Sequence, residues 1–111
     1  MKNIYLPLIL MACLFSLSVL ANSREKHNYK PLAGYVPDAE TAIAIAVAVW
    51  NPIYGKEKIE QEKPYNAELK ENVWYVSGTL SCPVGSVCKG GVAEIEISKS
   101  DGAIFRVSHG K

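Results

Sequence analysis

Apolar residues recur along this chain in three different spacings, and each spacing predicts a different element. From Pro64 the period is two: Tyr65, Ala67 and Leu69 alternate with Asn66 and Glu68, and Val73 to Leu80 carries Trp74, Val76 and Leu80 on one side. Lys70-Glu71-Asn72 supplies a turn, so the two runs read as a hairpin. Val92 to Ser98 repeats the pattern with Ala93, Ile95 and Ile97 set against Glu94 and Glu96; Ser100-Asp101-Gly102 turns the chain, and Ala103 to Ser108 follows as a last strand through Ile104, Phe105 and Val107. Between the two pairs, Ser81 to Gly91 contains Pro83, Gly85, Gly90 and Gly91 and reads as a loop.

Thr41 to Trp50 is ambiguous, because its alternation of alanine with Ile43, Ile45, Val47 and Val49 fits a strand as well as a helix. The flanks favour helix. Asp38 suits an N-cap, Glu40 places negative charge in the first turn, the run holds four alanines, and Asn51-Pro52 is a stop signal. On a helix Ala39, Ile43, Ala46, Val47 and Trp50 share the core face, while Ile45 and Val49 point elsewhere, toward a second covering layer or a partner. Pro52 to Gly55 makes a single turn closed by glycine, and the charged run Lys56 to Lys63, with Ile59 as its lone apolar residue, reads as a solvated edge or loop. Pro31 to Pro37 is extended, able to lay Leu32, Tyr35 and Val36 across the core. The expected fold class is α+β, one main helix on a four-stranded antiparallel meander, with Ile43, Val47, Trp50, Trp74, Ile95 and Ile97 in its core.

The third spacing is the continuous apolar run from Ile4 to Leu20, interrupted by Pro7, Ser16 and Ser18 and preceded by Lys2. With Val19 and Ala21 at the positions a signal peptidase inspects, it reads as a signal peptide cleaved after Ala21. An uncleaved anchor and lipidation at Cys13, in a loose Leu10-Met11-Ala12-Cys13 box, are the competing readings; the apolar run continues past Cys13, where a lipoprotein should have turned polar. The expected organisation is a signal peptide at 1–21, a flexible polar lead-in at 22–35 and one domain at 36–111, with the periplasm or the exterior as its place of action. About 90 residues suit one small domain. Once Lys2 is gone the 12 basic residues become 11, equal to the 11 acidic ones, and no basic stripe calls for nucleic acid. No membrane contact is expected after cleavage, and the oligomeric state is not legible.

Cys82 and Cys88 are then an even pair in an oxidising compartment, and a disulfide closing so short a loop contributes about 2 kcal/mol. A zinc site has no second cysteine pair to draw on, and His27 and His109 lie far away in sequence; no cofactor is expected.

The order Asp38-Ala39-Glu40-Thr41-Ala42, Trp50-x-Pro52-Ile53-Tyr54-Gly55 and Pro64-Tyr65-x-Ala67-x-Leu69 resembles a family of small bacterial immunity proteins with a nuclear-transport-factor-two-like fold, a cystatin-like cone. Later landmarks agree: Val73-Trp74-x-Val76-x-Gly78-Thr79-Leu80, Gly90-Gly91-x-Ala93, Lys99-x-Asp101-Gly102-x-Ile104 and Arg106-Val107-x-His109-Gly110. The resemblance implies a protein of polymorphic-toxin systems that binds a cognate toxin and protects the producing cell. Two features depart from the pattern. Val47 stands where such relatives often carry a charge, and the Cys82 to Cys88 loop is longer than the usual Gly-Thr-Leu-Pro-type connection.

No nucleophile and base are ordered as a catalytic set, so a binder is expected rather than an enzyme. Glu94 and Glu96 share a strand face, a spacing open to acid/base work but expected of a solvent-facing row opposite Ala93, Ile95 and Ile97. Tyr75 shares the sheet's outer face with Thr79, Glu94, Glu96 and Arg106, and these five form the expected partner surface beside the bridged loop. The competing classes are a small-ligand or isomerase-like cone using Tyr65 or Tyr75 in a cavity, and a structural envelope protein.

Overall fold

The computed structural model describes residues 27–82, 84–88 and 90–111. The expected leader through Ala21, Cys13 within it and residues 22–26 of the polar lead-in lie outside the described residues. Asp38 starts helix α1 (Ala39–Tyr54): its backbone is extended and its carboxylate accepts the Thr41 N–H at 2.8 Å. The fully buried line along α1 is Ala42, Ala46 and Trp50, spaced by four residues, with Ile43 and Val47 half-buried on one side and Ile45 and Val49 half-buried on the other. Of the expected stripe Ala46 and Trp50 are fully buried and Ala39, Ile43 and Val47 pack half-buried against the core, but Ala42 joins the buried line and Ile45 and Val49, expected to point elsewhere, pack against the core as well. Small alanines on the midline let the backbone lie close to the sheet, and the β-branched rows then wedge against it on both flanks.

Pro52 does not stop the helix. It sits in the last turn, where its missing N–H leaves only the carbonyl of Ala48 without a helical donor, and Ala48 is on the exposed side. The stop comes from Gly55, at φ 99°, whose N–H reaches the Asn51 carbonyl at 2.9 Å. The charged run after it is a second correction: Lys56–Glu60 forms a short helix, α2, because Ile59 is completely buried. Burying that one side chain is worth roughly 2 to 3 kcal/mol, enough to set the orientation of an otherwise polar segment.

Strands β1 (Asn66–Lys70), β2 (Val73–Ser77), β3 (Ala93–Ser98) and β4 (Ile104–His109) pair antiparallel in sequence order. The expected α+β arrangement, a helix packed on a four-stranded antiparallel sheet, is therefore what the chain adopts. Lys70 pairs with Val73, so the turn is only Glu71 and Asn72, both at positive φ (49° and 65°) as a type I′ hairpin requires. Leu80 lies beyond the end of β2 and is 45% exposed, against the expectation that it continues the Trp74 and Val76 row. Between β3 and β4, Glu96 pairs with Arg106 but Ile97 with Ile104, which makes Phe105 the extra residue of a bulge and leaves it 58% exposed.

Trp50, Trp74, Ile95 and Ile97 are buried on the helix-facing side with Val36, Val76 and Ala93. The indole N–H of Trp74 is satisfied by the Val36 carbonyl at 2.8 Å, which ties the extended entry segment to the sheet. That segment packs earlier than expected. Tyr35 N–H and Val36 N–H donate to the carbonyls of Ser100 and Lys99, Lys30 Nζ donates to Ser100 Oγ, and Lys99 Nζ donates to the Ala33 carbonyl. Leu32 and Tyr35, expected across the core, are exposed.

Candidate functional site

The outer face of the sheet is built by the odd-even alternation of the strands. Rows across it read Asn66, Ser77, Glu94, Ser108 and Glu68, Tyr75, Glu96, Arg106. Arg106 organises the second half of this face: Nε donates to Glu96 at 2.6 Å, one terminal nitrogen to Glu94 at 2.9 Å and the other to Ser108 Oγ at 2.7 Å. These hydrogen bonds, Glu96 first and then Glu94, raise the guanidinium pKa further, so its charge is permanent. Tyr75 is 39% exposed, with Lys70 Nζ 5.6 Å from its ring centroid. Of the five residues expected to share this surface, Tyr75, Glu94, Glu96 and Arg106 do. Thr79 does not: it follows β2, donates its N–H to the Glu62 carbonyl at 2.7 Å and its hydroxyl to the Pro64 carbonyl at 2.6 Å. Asn66 joins the two places, since its amide reaches Thr79 Oγ1 at 3.4 Å.

Thr79 faces a cleft of about 550 Å³ at the end of the sheet, lined by Lys58 and Gln61 of α2, by Leu80, Ser81, Gly90 and Gly91, and by His109 to Lys111. Its floor is a pair that sequence reading missed. Glu62, 7% exposed, accepts the Ala93 N–H at 2.7 Å through one oxygen and meets His109 Nε2 at 2.7 Å through the other. His109 Nδ1 stands 2.7 Å from the Gly110 carbonyl, so both ring nitrogens face protein oxygens. The ring also packs tilted on Tyr54, centroids 5.0 Å apart. Glycines make the pair possible. A Cβ on Gly78 would stand 2.5 Å from Glu62 Oε1, and one on Gly91 would strike the backbone of Gly110. Glu62 and His109 are separated by 47 residues, and a lone Glu in a charged run carried no signal of burial. The Gly78 and Gly90-Gly91 spacing was the one visible hint.

The Cys82–Cys88 disulfide is formed, with Cα atoms 5.6 Å apart, and the loop it closes rises from the cleft rim at Ser81 and Gly90. Val84 and Val87 on that loop are almost fully exposed. Tyr65, a candidate for chemistry in a cavity, instead donates its hydroxyl to the Ile59 carbonyl at 2.7 Å and stacks tilted on Trp50. Desolvation first, then the charges of Glu60 and Glu62, push its phenol above its usual range.

Residues 41–111 match the family model described as NTF2 fold immunity protein. The chain belongs to that family. A curated relative, the uncharacterized protein YhhH of Escherichia coli (strain K12), is 41% identical over 58 residues, which cover 52% of this chain and 43% of the relative. The matched part is thus less than half the length of that relative. No solved structure matches the immunity protein significantly.

Proposed function

We propose that the immunity protein acts in the periplasm as a binder, not an enzyme, and neutralises its toxin by occlusion, laying the outer sheet face over the toxin's active surface. The observation that carries this reading is the face itself. Helices α1 and α2 cover only the inner side, and the outer side presents Tyr75 beside an arginine already fixed by two carboxylates and a hydroxyl. Side chains held before contact lose little freedom on binding, so their contacts count more fully toward affinity. Location outside the cytoplasm is supported by the Cys82–Cys88 bridge, which persists in oxidising compartments, and by the leader-like opening of the sequence. A catalytic reading gains nothing from the residues brought together, since the His109 nitrogens and the Tyr65 hydroxyl are already engaged.

The test is co-expression of a candidate toxin, directed to the periplasm, with the immunity protein exported by its own leader. Protection that requires export, together with co-purification of the two proteins, is the expected result. A wild-type chain that reaches the periplasm, folds and leaves the toxin fully active would overturn the proposal.

A further inference from the structure

The cleft beside the outer face differs from that face in the state of its charges. Glu62, the one acidic side chain lining it among the described residues, has both carboxylate oxygens engaged, one by the Ala93 N–H and the other by the His109 ring. Lys58 and Lys111 line the same cleft and are exposed, and among the described residues neither has an ion-pair partner. On the outer face the cation is already answered: Arg106 lies between Glu94 and Glu96. The cleft therefore presents two lysines that have no ion-pair partner among the described residues, which the outer face does not. Its walls add the side chains of Gln61, Thr79 and Ser81 as hydrogen-bonding groups and Leu80, 45% exposed, as an apolar contact.

The surroundings suit a chain and not a small molecule. The cleft is open, it continues through Thr79 and Asn66 into the outer face, and the bridged loop with Val84 and Val87 rises from its rim. We infer that the cleft receives an acidic peptide segment of the toxin, with its carboxylates held by Lys58 and Lys111 and its apolar neighbours packed on Leu80 and the loop valines. This rests on the toxin-binding reading above. It adds where a second contact lies and what chemistry the toxin must present there. The disulfide restrains the loop and so lowers the ordering cost when the segment docks.

Two measurements test it. In NMR titrations of the folded protein, a short peptide rich in Glu and Leu is expected to shift the amides of Thr79, Gly91 and Gly110, and a version with Lys in place of Glu is not. Lys58→Glu with Lys111→Glu should weaken the acidic peptide about tenfold, and added salt should weaken it further. Both lysines are exposed, so the double variant should fold, which its unperturbed Trp74 and Ile95 signals would verify. Equal shifts from the Lys peptide, shifts confined to Tyr75 and Glu94, or equally tight binding of inorganic phosphate alone would overturn the inference. The second measurement is protection in cells. If the wild type protects and the double variant protects equally at the same level, the cleft assignment fails while toxin neutralisation stands. If the wild type itself fails to protect, it is the broader reading that fails.

Discussion

On the outer sheet face Arg106 meets Glu94 with both side chains 47% exposed, whereas at the cleft His109 meets Glu62 with side chains 13% and 9% exposed. The two pairs have similar lengths, 2.9 and 2.7 Å, yet they do different work. Water around Arg106 weakens its attractions and would replace them readily, so the network sets the shape of a surface more than it holds the fold. Around Glu62 there is no such replacement. Its two oxygens satisfy the Ala93 N–H and the His109 ring, and its main-chain carbonyl satisfies Thr79 N–H, so one residue fastens α2, the end of β2, the start of β3 and the end of β4. Similar distances thus conceal a difference that burial creates.

The largest effect should come from breaking the buried pair. Glu62→Ala leaves the Ala93 N–H without an acceptor and the buried His109 ring without its partner, and the expected loss is about 3 kcal/mol in urea unfolding. For a domain of this size that lowers Tm by more than roughly 10 °C. Glu62→Gln, which keeps an acceptor and the side-chain volume, should lose less. A Glu62→Ala variant as stable as an outer-face variant would erase the contrast between the two regions.

How much of this was legible follows from the range over which each signal acts. The four strands and the outer row of Tyr75, Glu94, Glu96 and Arg106 are written in a period of two, which neighbouring residues suffice to display. The N-cap at Asp38 is equally local. Thr79 was misplaced because the alternation was extended past Ser77, where β2 ends and the missing side chain of Gly78 leaves room for Glu62. The helical midline was legible only in part because alanine, not Ile43 or Val47, sits where the sheet approaches most closely, and pattern alone does not measure that distance. Helix α2 and the Glu62–His109 pair were hidden for one reason. Each depends on a single residue, Ile59 or Glu62, buried by segments far along the chain.

A smaller effect on stability, with a larger one on function, is expected at Arg106. Arg106→Ala removes three exposed hydrogen bonds and should leave the unfolding free energy nearly unchanged. It also frees Glu94 and Glu96 to repel each other across the face, so protection against the toxin and co-purification should fall while the melting curve barely moves. Loss of fold and loss of protection in the same proportion would mean that this face is structural after all.

The smallest effect lies at two carboxylates that belong to neither region and so calibrate both. Asp38 is held below its ordinary value of 3.8 by hydrogen bonding from Thr41, and Asp101 below the same value first by the Ala103 N–H and then by Ser98. A carboxyl whose folded pKa is depressed favours the fold only when ionised. That contribution is complete above the ordinary aspartate value and disappears as pH falls through the lower folded value. Asp101→Asn keeps an oxygen for the Ala103 N–H without the charge. Its urea midpoint should therefore change slightly less than that of the wild type between about pH 5 and about pH 2. Because both aspartates are solvent-exposed and bonded only within their own turns, the difference should be small beside the effect of Glu62→Ala. A large difference at Asp101 would show that the β3–β4 turn, on which the Lys30 to Val36 segment is docked, holds more of the fold than the buried pair at the cleft does.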